Sequence, residues 1–263
     1  MEVMNRTVER IRLETRTRQL TVLSVTDLTP HMRRIRLGGP ELEGFQSPGH
    51  ADHIKVFLSS DGKPLPRPER RPDGLVWPEG TARPFMRDYT PRYFDPVALT
   101  LDLDFVLHGD GPASMWAQDA KVGDPLIIGG PRGSLIVPDS FDWYLLVGDE
   151  TALPAIGRRI EELPAGKPVI AVIEVPEAAD EQCFVTSAAA EIHWVHRDDL
   201  EAGAQNMLLP KVAGLEFPSG EGYAFVAGEA EMSRNLKAHL VDRGLNPEYV
   251  RAPGYWVRGQ PGD

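Results

Sequence analysis

The sequence predicts two domains, an antiparallel β-barrel over residues 1–138 followed by an α/β domain with a parallel sheet over residues 139–263. Two patterns and the length predict this. Short β-like runs separated by glycine and proline turns fill the first half. Continuous apolar strands alternating with amphipathic helices fill the second half. A chain of 263 residues is long enough for both domains.

The first half contains short β-like runs, most of them with the two-residue alternation of half-buried strands. They lie at 20–25, 32–37, 52–58, 98–107 and 126–128. One short helix is predicted after the glycine turn at 109–111. The segment 59–84 contains six prolines, which remove backbone donors, so a loop without regular strand pairing is expected there.

The second half contains apolar strands of the kind buried on both faces. They are predicted at Tyr144–Val147, Val169–Ile173, Ile192–Val195 and Tyr223–Ala227. Two helices are predicted from apolar residues spaced three and four apart, in the stripes Leu153, Ile156, Ile160, Leu163 and Met232, Leu236, Leu240.

Composition and charge exclude several classes of function. A net charge of −11 disfavours nucleic acid and anionic membranes as partners. The single cysteine, Cys183, excludes an internal disulfide and a cysteine-ligated metal site, and no metal bound by the protein itself is expected. No apolar run approaches the roughly 18 residues of a membrane span. No secretory signal is recognised, so a cytoplasmic protein without membrane insertion is expected.

The stretch Arg87-Asp88-Tyr89-Thr90 has the groups that a flavin cofactor requires. In a strand, Arg87 and Tyr89 share one face because residues two apart point the same way. A guanidinium fork pairs with phosphate, an aromatic ring packs on the isoalloxazine, and the Thr90 hydroxyl can bond its reactive nitrogen. The same four residues also suit an ordinary half-buried strand. Other parts of the chain are therefore needed to distinguish a flavin site from a plain strand.

A glycine turn between a strand and a helix follows at His108 to Ala117. Backbone N–H groups and the helix dipole face such a turn, which makes it an anion site. The turn is predicted to hold the pyrophosphate of the flavin cofactor together with Arg87. A plain turn between strand and helix is the alternative.

The first turn of the α/β domain, Gly148-Asp149-Glu150-Thr151, lacks the Gly-x-Gly-x-x-Gly dinucleotide pattern. It still offers backbone donors at a helix start. A Gly-x-Ser-x-Gly nucleophile turn is also missing from the sequence, so hydrolysis by a serine triad is not supported.

Several stretches in order along the chain resemble the siderophore-interacting protein family, FAD-dependent ferric-siderophore reductases of the ferredoxin-reductase-like superfamily. The matching stretches are Asp52–Phe57, Arg87–Thr90, Asp104–Gly109, Gly111–Ala117, Gly130–Ser134, Gly148–Ile156, Ala227–Glu229 and Gly254–Gly259. Each is short, but together they span nearly the whole chain.

The resemblance implies FAD and a nicotinamide nucleotide as cofactors. Arg87, Tyr89 and Thr90 would contact the flavin, with Tyr89 and Thr90 nearest the reacting ring. The remaining cofactor contacts fall into three sets. His108 and Gly109 would lie along the FAD, with Ala113 and Ser114 near its pyrophosphate. Gly148, Asp149, Glu150 and Thr151 would face the nicotinamide nucleotide, with Gly228 and Glu229 opposite. Tyr255 and Trp256 would shield the flavin face or form a hydrophobic lid.

The implied substrate is a ferric siderophore, commonly an anionic chelate, and Lys55, Arg132 and Arg258 are the candidates for a basic entry patch. A hydride from NADH or NADPH would reach FAD, and single electrons would then reduce Fe(III) and release Fe(II). Glu174, near the end of the second α/β strand, favours NADH because a carboxylate repels a 2′-phosphate.

Two alternative functions stay open. One is an electron-transfer flavoprotein that serves a separate redox partner such as a ferredoxin. The other is a siderophore-binding protein without turnover.

Overall fold

A computed structural model describes residues 5–71, 74–109 and 111–260. The chain forms two compact units, Glu9–Ile136 and the described parts of 1–8 and 137–262. The first unit is built on antiparallel sheets and the second on a parallel sheet, which confirms the predicted fold class. None of the helices in the described ranges has the length and apolar character needed to cross a bilayer.

The first unit contains eleven strands and one α-helix among its described residues. The strands are β1 Glu9–Arg12, β2 Thr17–Thr29, β3 Met32–Gly38, β4 Ile54–Leu58, β5 Glu69–Arg71, β6 Gly74–Val76, β7 Phe85–Tyr89, β8 Tyr93–Asp95, β9 Thr100–Val106, β10 Pro125–Gly129 and β11 Gly133–Ile136, and the helix is α1 Pro112–Asp119. Seven strands form one antiparallel sheet in the order β7-β4-β10-β2-β3-β9-β8, while β1 pairs with β11.

The inner face of this sheet carries the core of the first unit. Leu101, Leu103 and Phe105 of β9 are fully buried and pack with apolar residues of β2, β3 and β4. On the other face of β9, Asp102 and Asp104 are also buried. Each accepts a two-pronged ion pair from the neighbouring strand β3, Arg36 on Asp102 and Arg34 on Asp104, at 2.7–2.8 Å. Such pairing offsets the cost of removing a carboxylate from water.

The proline-rich segment 59–84 departs from the prediction of an unpaired loop. β5 and β6 form a short antiparallel hairpin with Arg70 opposite Leu75. The prediction was wrong because neither three-residue strand contains a proline, so their backbone donors remain available. Pro72 lies between them, outside the described residues.

The second unit has a parallel sheet with helices. Its strands are β12 Trp143–Gly148, β13 Pro168–Val175, β14 Ala189–His196, β15 Gly222–Glu229, β16 Val250–Arg251 and β17 Gly254–Trp256; its helices are α2 Leu153–Glu162, α3 Leu208–Ala213 and α4 Ala230–Asp242. Sheet order is β14-β13-β12-β15-β16, and β17 pairs with the end of β15. The order reverses between β12 and β15, which is where ligands bind in open parallel sheets, beyond the carboxyl ends of the strands.

Candidate functional site

The edge strand β7 presents Arg87 and Tyr89 on one face of the first unit. The Tyr89 ring packs on Phe105, with 4.3 Å between ring centroids, and burial raises the pKa of its phenol well above the ordinary value. The Arg87 guanidinium lies 5.9 Å from the Phe85 ring centroid and donates a hydrogen bond to the Met86 carbonyl at 2.8 Å. Tyr89 therefore stays a neutral, partly exposed ring beside a cation.

Thr90 follows β7 directly and is only 7% exposed. Its hydroxyl makes no hydrogen bond with any residue that the structure describes. The residue is buried as a whole, but its hydroxyl oxygen is not shut off from solvent. Thr90 therefore has a free donor and acceptor for a ligand that packs against β7.

The turn before α1 is shaped by backbone geometry rather than by side-chain caps. Gly109 has a φ of 46°, the left-handed region that favours glycine. Gly111 is the N-cap of α1, Pro112 occupies its first turn, and no side chain caps the helix. The Ser114 hydroxyl instead accepts a hydrogen bond from the His108 backbone N–H at 2.9 Å and so holds the turn. The first N–H groups of the helix, including that of Ala113, remain available to an anion.

A groove of about 560 Å³ adjoins the start of α1. Phe85, Pro112, Met115 and Trp116 line it together with residues of the segment 57–65 and the start of β10. Its size and apolar lining are typical of a site for a drug-sized molecule. The uncapped helix, the Arg87 guanidinium and the accessible Thr90 hydroxyl are donors suited to a flavin dinucleotide, so the residues present fit FAD.

In the second unit, the carboxyl ends of β12 and β15 approach each other closely at two glycines. A Cβ on Gly148 would lie 2.5 Å from the Ala227 carbonyl oxygen and 2.6 Å from the Ala152 Cβ. A Cβ on Gly228, whose φ is 140°, would lie 2.4 Å from Asp149 Oδ2. Both positions therefore require glycine.

Asp149 joins three segments at this edge. Its Oδ1 accepts hydrogen bonds from the backbone N–H of Thr151 at 2.9 Å and from the Thr151 hydroxyl at 2.5 Å. Its Oδ2 accepts from the backbone N–H of Glu229 at 3.0 Å and from the Trp256 indole at 2.8 Å. Four donors fix the carboxylate, so Asp149 positions the ends of β12, β15 and β17.

Glu150 and Glu174 meet at one cation, Arg197. Glu150 receives a two-pronged ion pair from Arg197 at 2.5 and 2.7 Å, whereas Glu174 lies 3.7 Å from it and accepts no hydrogen bond from any described residue. Glu174 is nevertheless only 6% exposed. Arg197 therefore neutralises Glu150 and leaves Glu174 weakly paired.

A cavity of about 240 Å³ opens at this edge of the sheet, lined by Asp149, Glu174, Asn206, Glu229, Asn235 and Arg258 among others. Glu229 also caps α4, because its carboxylate accepts from the N–H groups of Glu231 and Met232 at 2.6 and 2.8 Å. Carboxylates outnumber cations around the cavity, which suits hydroxyl groups better than a phosphate.

Burial shifts the titration of two of these carboxyls. Burial, then the charge of Asp149, raises the pKa of Glu174 to about 7, against the pull of Arg197. Burial and the charge of Glu150 raise the pKa of Asp149 to about 6. Both folded-state values exceed the unfolded ones, so the folded protein binds more protons between about pH 4 and 7. The stability that these groups contribute is therefore fully present below about pH 4 and is lost progressively as pH rises through the folded pKa values of about 6 and 7.

Replacing Glu174 with Gln is expected to raise the free energy of unfolding by roughly 1 kcal/mol at pH 8 and by less at pH 5, because the buried charge disappears. Urea unfolding of both proteins from pH 5 to 8 measures this. Glu221→Gln, at an exposed carboxylate, should leave the pH profile unchanged. A Glu174→Gln profile parallel to that of the wild type would contradict the assignment.

The three predicted substrate-binding cations fall in both units. Lys55 lies on β4 and pairs with Asp88 of β7 at 2.8 Å. Arg132 lies in the turn between β10 and β11, exposed and without an ion pair to a described residue. The third cation, Arg258, lines the cavity of the second unit and pairs with Glu201 at 3.2 Å.

The predicted residues Tyr255 and Trp256 also lie in the second unit. The Trp256 ring packs where a Cβ on Gly203 would be 2.8 Å away, while Tyr255 is 37% exposed. Their shielding role stays a prediction.

Sequence reasoning did not identify Arg197 or Asn206. Arg197 follows β14 at the same edge as Glu150 and Glu174, and only the strand order brings it to them. A cation directly after a predicted parallel strand was the signal available in the sequence.

Comparison with known proteins agrees with this architecture. The model of the siderophore-interacting FAD-binding domain matches residues 21–135, and that of the siderophore-interacting protein matches residues 141–259. The NADPH-dependent ferric-chelate reductase of Escherichia coli is 37% identical over 94% of this chain and 96% of its own length. The ferric vibriobactin reductase of Vibrio cholerae is 32% identical over 89% and 86%.

A solved structure is similar over almost the entire chain. The crystal structure of a siderophore utilization protein from T. fusca superimposes with a TM-score of 0.88 and 38% identity, covering 98% of this chain and 99% of that one. Sequence and structure thus agree over both units, and the chain belongs to the siderophore-interacting protein family.

Proposed function

We propose that this protein is an NAD(P)H-dependent ferric-siderophore reductase that uses FAD. One observation carries the proposal. The wall formed by Arg87, Tyr89 and Thr90 beside an uncapped helix occurs in a chain that matches a ferric-chelate reductase along nearly its whole length.

FAD is assigned to the domain 1–138. The Arg87 guanidinium and the backbone N–H groups of Ala113 and Ser114 would neutralise its pyrophosphate, since a helix N-terminus and an arginine fork both favour anions. His108 and Gly109 shape the turn that leads into the helix. The apolar groove beside Met115 and Trp116 would receive the adenine end.

FAD, when bound, accepts a hydride and passes electrons on singly, which matches a two-electron donor to a one-electron acceptor. The chain's own residues bind and orient it. Tyr89 offers a neutral ring fixed on Phe105, and Thr90 offers a hydroxyl that has no other partner among the described residues. No acid or base residue is required, so positioning is the protein's main contribution.

The nicotinamide nucleotide is assigned to the domain 139–263. Gly148 and Gly228 allow the close packing of the chain where β12 and β15 end, and Thr151 is held by Asp149 just before the start of α2. Asp149, Glu150 and Glu229 fix the walls of the cavity through their hydrogen bonds and ion pairs. Trp256 is held by Asp149, and the neighbouring Tyr255, which is 37% exposed, would cover a bound ring.

The substrate is a ferric chelate with hard oxygen donors, which hold Fe(II) less strongly than Fe(III). Such chelates are commonly anionic. Lys55, Arg132 and Arg258 would attract them against the negative charge of the whole protein.

The test is an anaerobic experiment on the purified protein reconstituted with FAD. The flavin spectrum is followed while a nicotinamide nucleotide is added, and ferric siderophores are then supplied with an Fe(II) trap. Bleaching of the flavin followed by Fe(II) capture is expected. Bleaching without Fe(II) would support electron transfer to a separate redox protein such as a ferredoxin. Chelate binding by a protein that takes up no FAD would support binding without turnover.

At pH 8, where Glu174 is ionised, NADH is expected to be used in preference to NADPH, with a kcat/KM at least about tenfold higher, because the carboxylate repels the 2′-phosphate of NADPH. Steady-state rates with both nucleotides measure this, and Glu174→Gln should narrow the difference. The Escherichia coli relative is named for NADPH. Equal use of both, or a preference for NADPH, would refute the specificity proposed for Glu174.

A further inference from the structure

Arg18 on β2 is a buried cation without a carboxylate partner. Only 4% of the surface of Arg18 is exposed. Nε donates to the Glu41 carbonyl at 2.9 Å, and Nη1 donates to the Gly130 carbonyl at 3.0 Å and the Arg16 carbonyl at 3.5 Å. No carboxylate of the described residues lies within ion-pair distance of it. All the acceptors of this guanidinium are therefore neutral.

The Glu41 carboxylate acts on this charge only from a distance and makes no ion pair with Arg18. It is held by Arg67 at 2.6 and 3.1 Å and by the backbone N–H of Gln19 at 2.9 Å. Burial, followed by the charge of Arg16, lowers the pKa of Arg18. A buried charge normally occurs with a counterion because desolvation is costly.

The remaining nitrogen of Arg18, Nη2, makes no hydrogen bond with a described residue and is not shut off from solvent. Arg18 lines a pocket of about 160 Å³ together with Glu14, Arg16, Gln46 and Pro131. Since a water molecule takes about 30 Å³ of liquid, the pocket has room for a carboxylate-sized group.

The charges around this pocket favour an anion. Arg16 and Arg18 both line it, against one carboxylate, Glu14. Glu14 is bound to Arg16 at 2.7 Å, with 72% of its side chain exposed. Arg132 follows Pro131 and has no ion pair with a described residue. The pocket is thus locally basic in a protein of net charge −11.

A purely structural role accounts for only part of this arrangement. The hydrogen bonds from Nε and Nη1 connect β2 to the segments around Glu41 and Gly130. These bonds alone would be enough for a structural connection. Such a connection does not explain a second arginine or the open Nη2. The open Nη2 can donate to one oxygen of a carboxylate, and hydrogen bonds between charged groups are stronger than those between neutral groups.

We propose that the Arg18 pocket binds the carboxylate of a small anionic ligand, either a free organic acid or a carboxylate substituent on a ferric chelate. Arg18 would supply the buried contact and Arg16 the outer one, with Glu14 displaced from Arg16 when the ligand enters. The lining of this pocket contains none of the residues assigned to FAD, and the proposal does not depend on the reduction proposed above.

The experiment is isothermal titration calorimetry on the full chain, with citrate, gallium(III) citrate as a redox-inert chelate, and inorganic phosphate as probes. Saturable binding of a citrate form is expected. Arg18→Gln should weaken it at least about tenfold, and Arg16→Gln by about threefold. Glu14→Gln should strengthen it by about twofold to fivefold, because a competing carboxylate is removed. Arg10→Gln, an exposed arginine on β1 outside the pocket, should change it less than twofold.

The outcomes separate the two sources and can overturn the proposal. Tighter binding of gallium citrate identifies a chelate substituent, and equal or tighter binding of citrate identifies a free acid. No saturable binding of either form, or binding that Glu14→Gln and Arg16→Gln leave unchanged, would refute the site. Glu14→Gln and Arg16→Gln keep the test valid if Arg18→Gln does not fold, because neither removes the hydrogen bonds from the Arg18 side chain to the Glu41 and Gly130 carbonyls. Phosphate binding tighter than both citrate forms would refute the carboxylate specificity.

Discussion

Gly228→Ala is expected to lower the free energy of unfolding by about 2–4 kcal/mol and to reduce nicotinamide-dependent flavin reduction more than tenfold. A methyl group there would lie 2.4 Å from Asp149 Oδ2 and 2.8 Å from Met232 Cε, at a φ of 140°. Asp149 would have to leave its hydrogen bonds to Glu229 and Trp256, which hold the carboxyl edge of the sheet together. Urea unfolding and stopped-flow reduction measure the two effects.

Gly214→Ala is the matched control in the same unit. Gly214 ends α3 with a φ of −83°, and a Cβ there would meet only the carbonyl oxygens of Lys211 and Pro210 at 3.7 Å. That variant should unfold and react like the wild type. Because Gly228 lies in the second unit, its variant should still bind FAD with unchanged affinity. Wild-type stability and reduction in Gly228→Ala would contradict the close packing around Asp149.

The strands and helices that could be predicted from the sequence were those specified by a pattern of nearby residues. The alternation at Leu101, Leu103 and Phe105 predicted a strand with one face in the core, and the structure agrees. The apolar run Tyr144–Val147 likewise predicted β12. The spacing of apolar residues and the position of turn-forming residues are patterns among sequence neighbours, so a single sequence is enough to recognise them.

Contacts between distant residues could not be predicted in the same way. Trp256 donates to Asp149 across 107 positions of sequence, and Arg197 reaches Glu150 across 47. Both pairs depend on the strand order, which places β12 beside β15 and β13. The sequence identified Asp149 and Trp256 as site residues through family resemblance, but it did not indicate that one holds the other.

The open pocket at Arg18 illustrates the same limit. In the sequence, Arg16 and Arg18 are two arginines at the start of a strand, a pattern that usually means solvated charge. Only the fold shows that Arg18 is buried among carbonyl groups. Burial without a counterion is a property of three-dimensional packing, so it emerges only from the structure.

Arg87→Ala is expected to raise the Kd for FAD by about 10- to 100-fold while changing the free energy of unfolding by no more than about 0.5 kcal/mol. The guanidinium is assigned to the pyrophosphate, and hydrogen bonds between charged groups contribute about 1.5–3 kcal/mol. Arg87 is only partly buried on an edge strand and lies over Phe85, so its removal leaves the core intact. Fluorescence titration of the FAD-free protein at fixed ionic strength measures the Kd.

Two further variants separate pairing geometry from charge. Arg87→Lys should fall between the wild type and Arg87→Ala, because an ammonium group keeps the charge but lacks the two-pronged fork. Arg10→Ala, at an exposed arginine on β1, changes the net charge equally and should leave the Kd within twofold. If Arg10→Ala and Arg87→Ala weaken FAD binding equally, only the overall field matters, and Arg87 has no specific contact. If Arg87→Ala leaves the Kd unchanged, the pyrophosphate is held by the backbone N–H groups at the start of α1 alone.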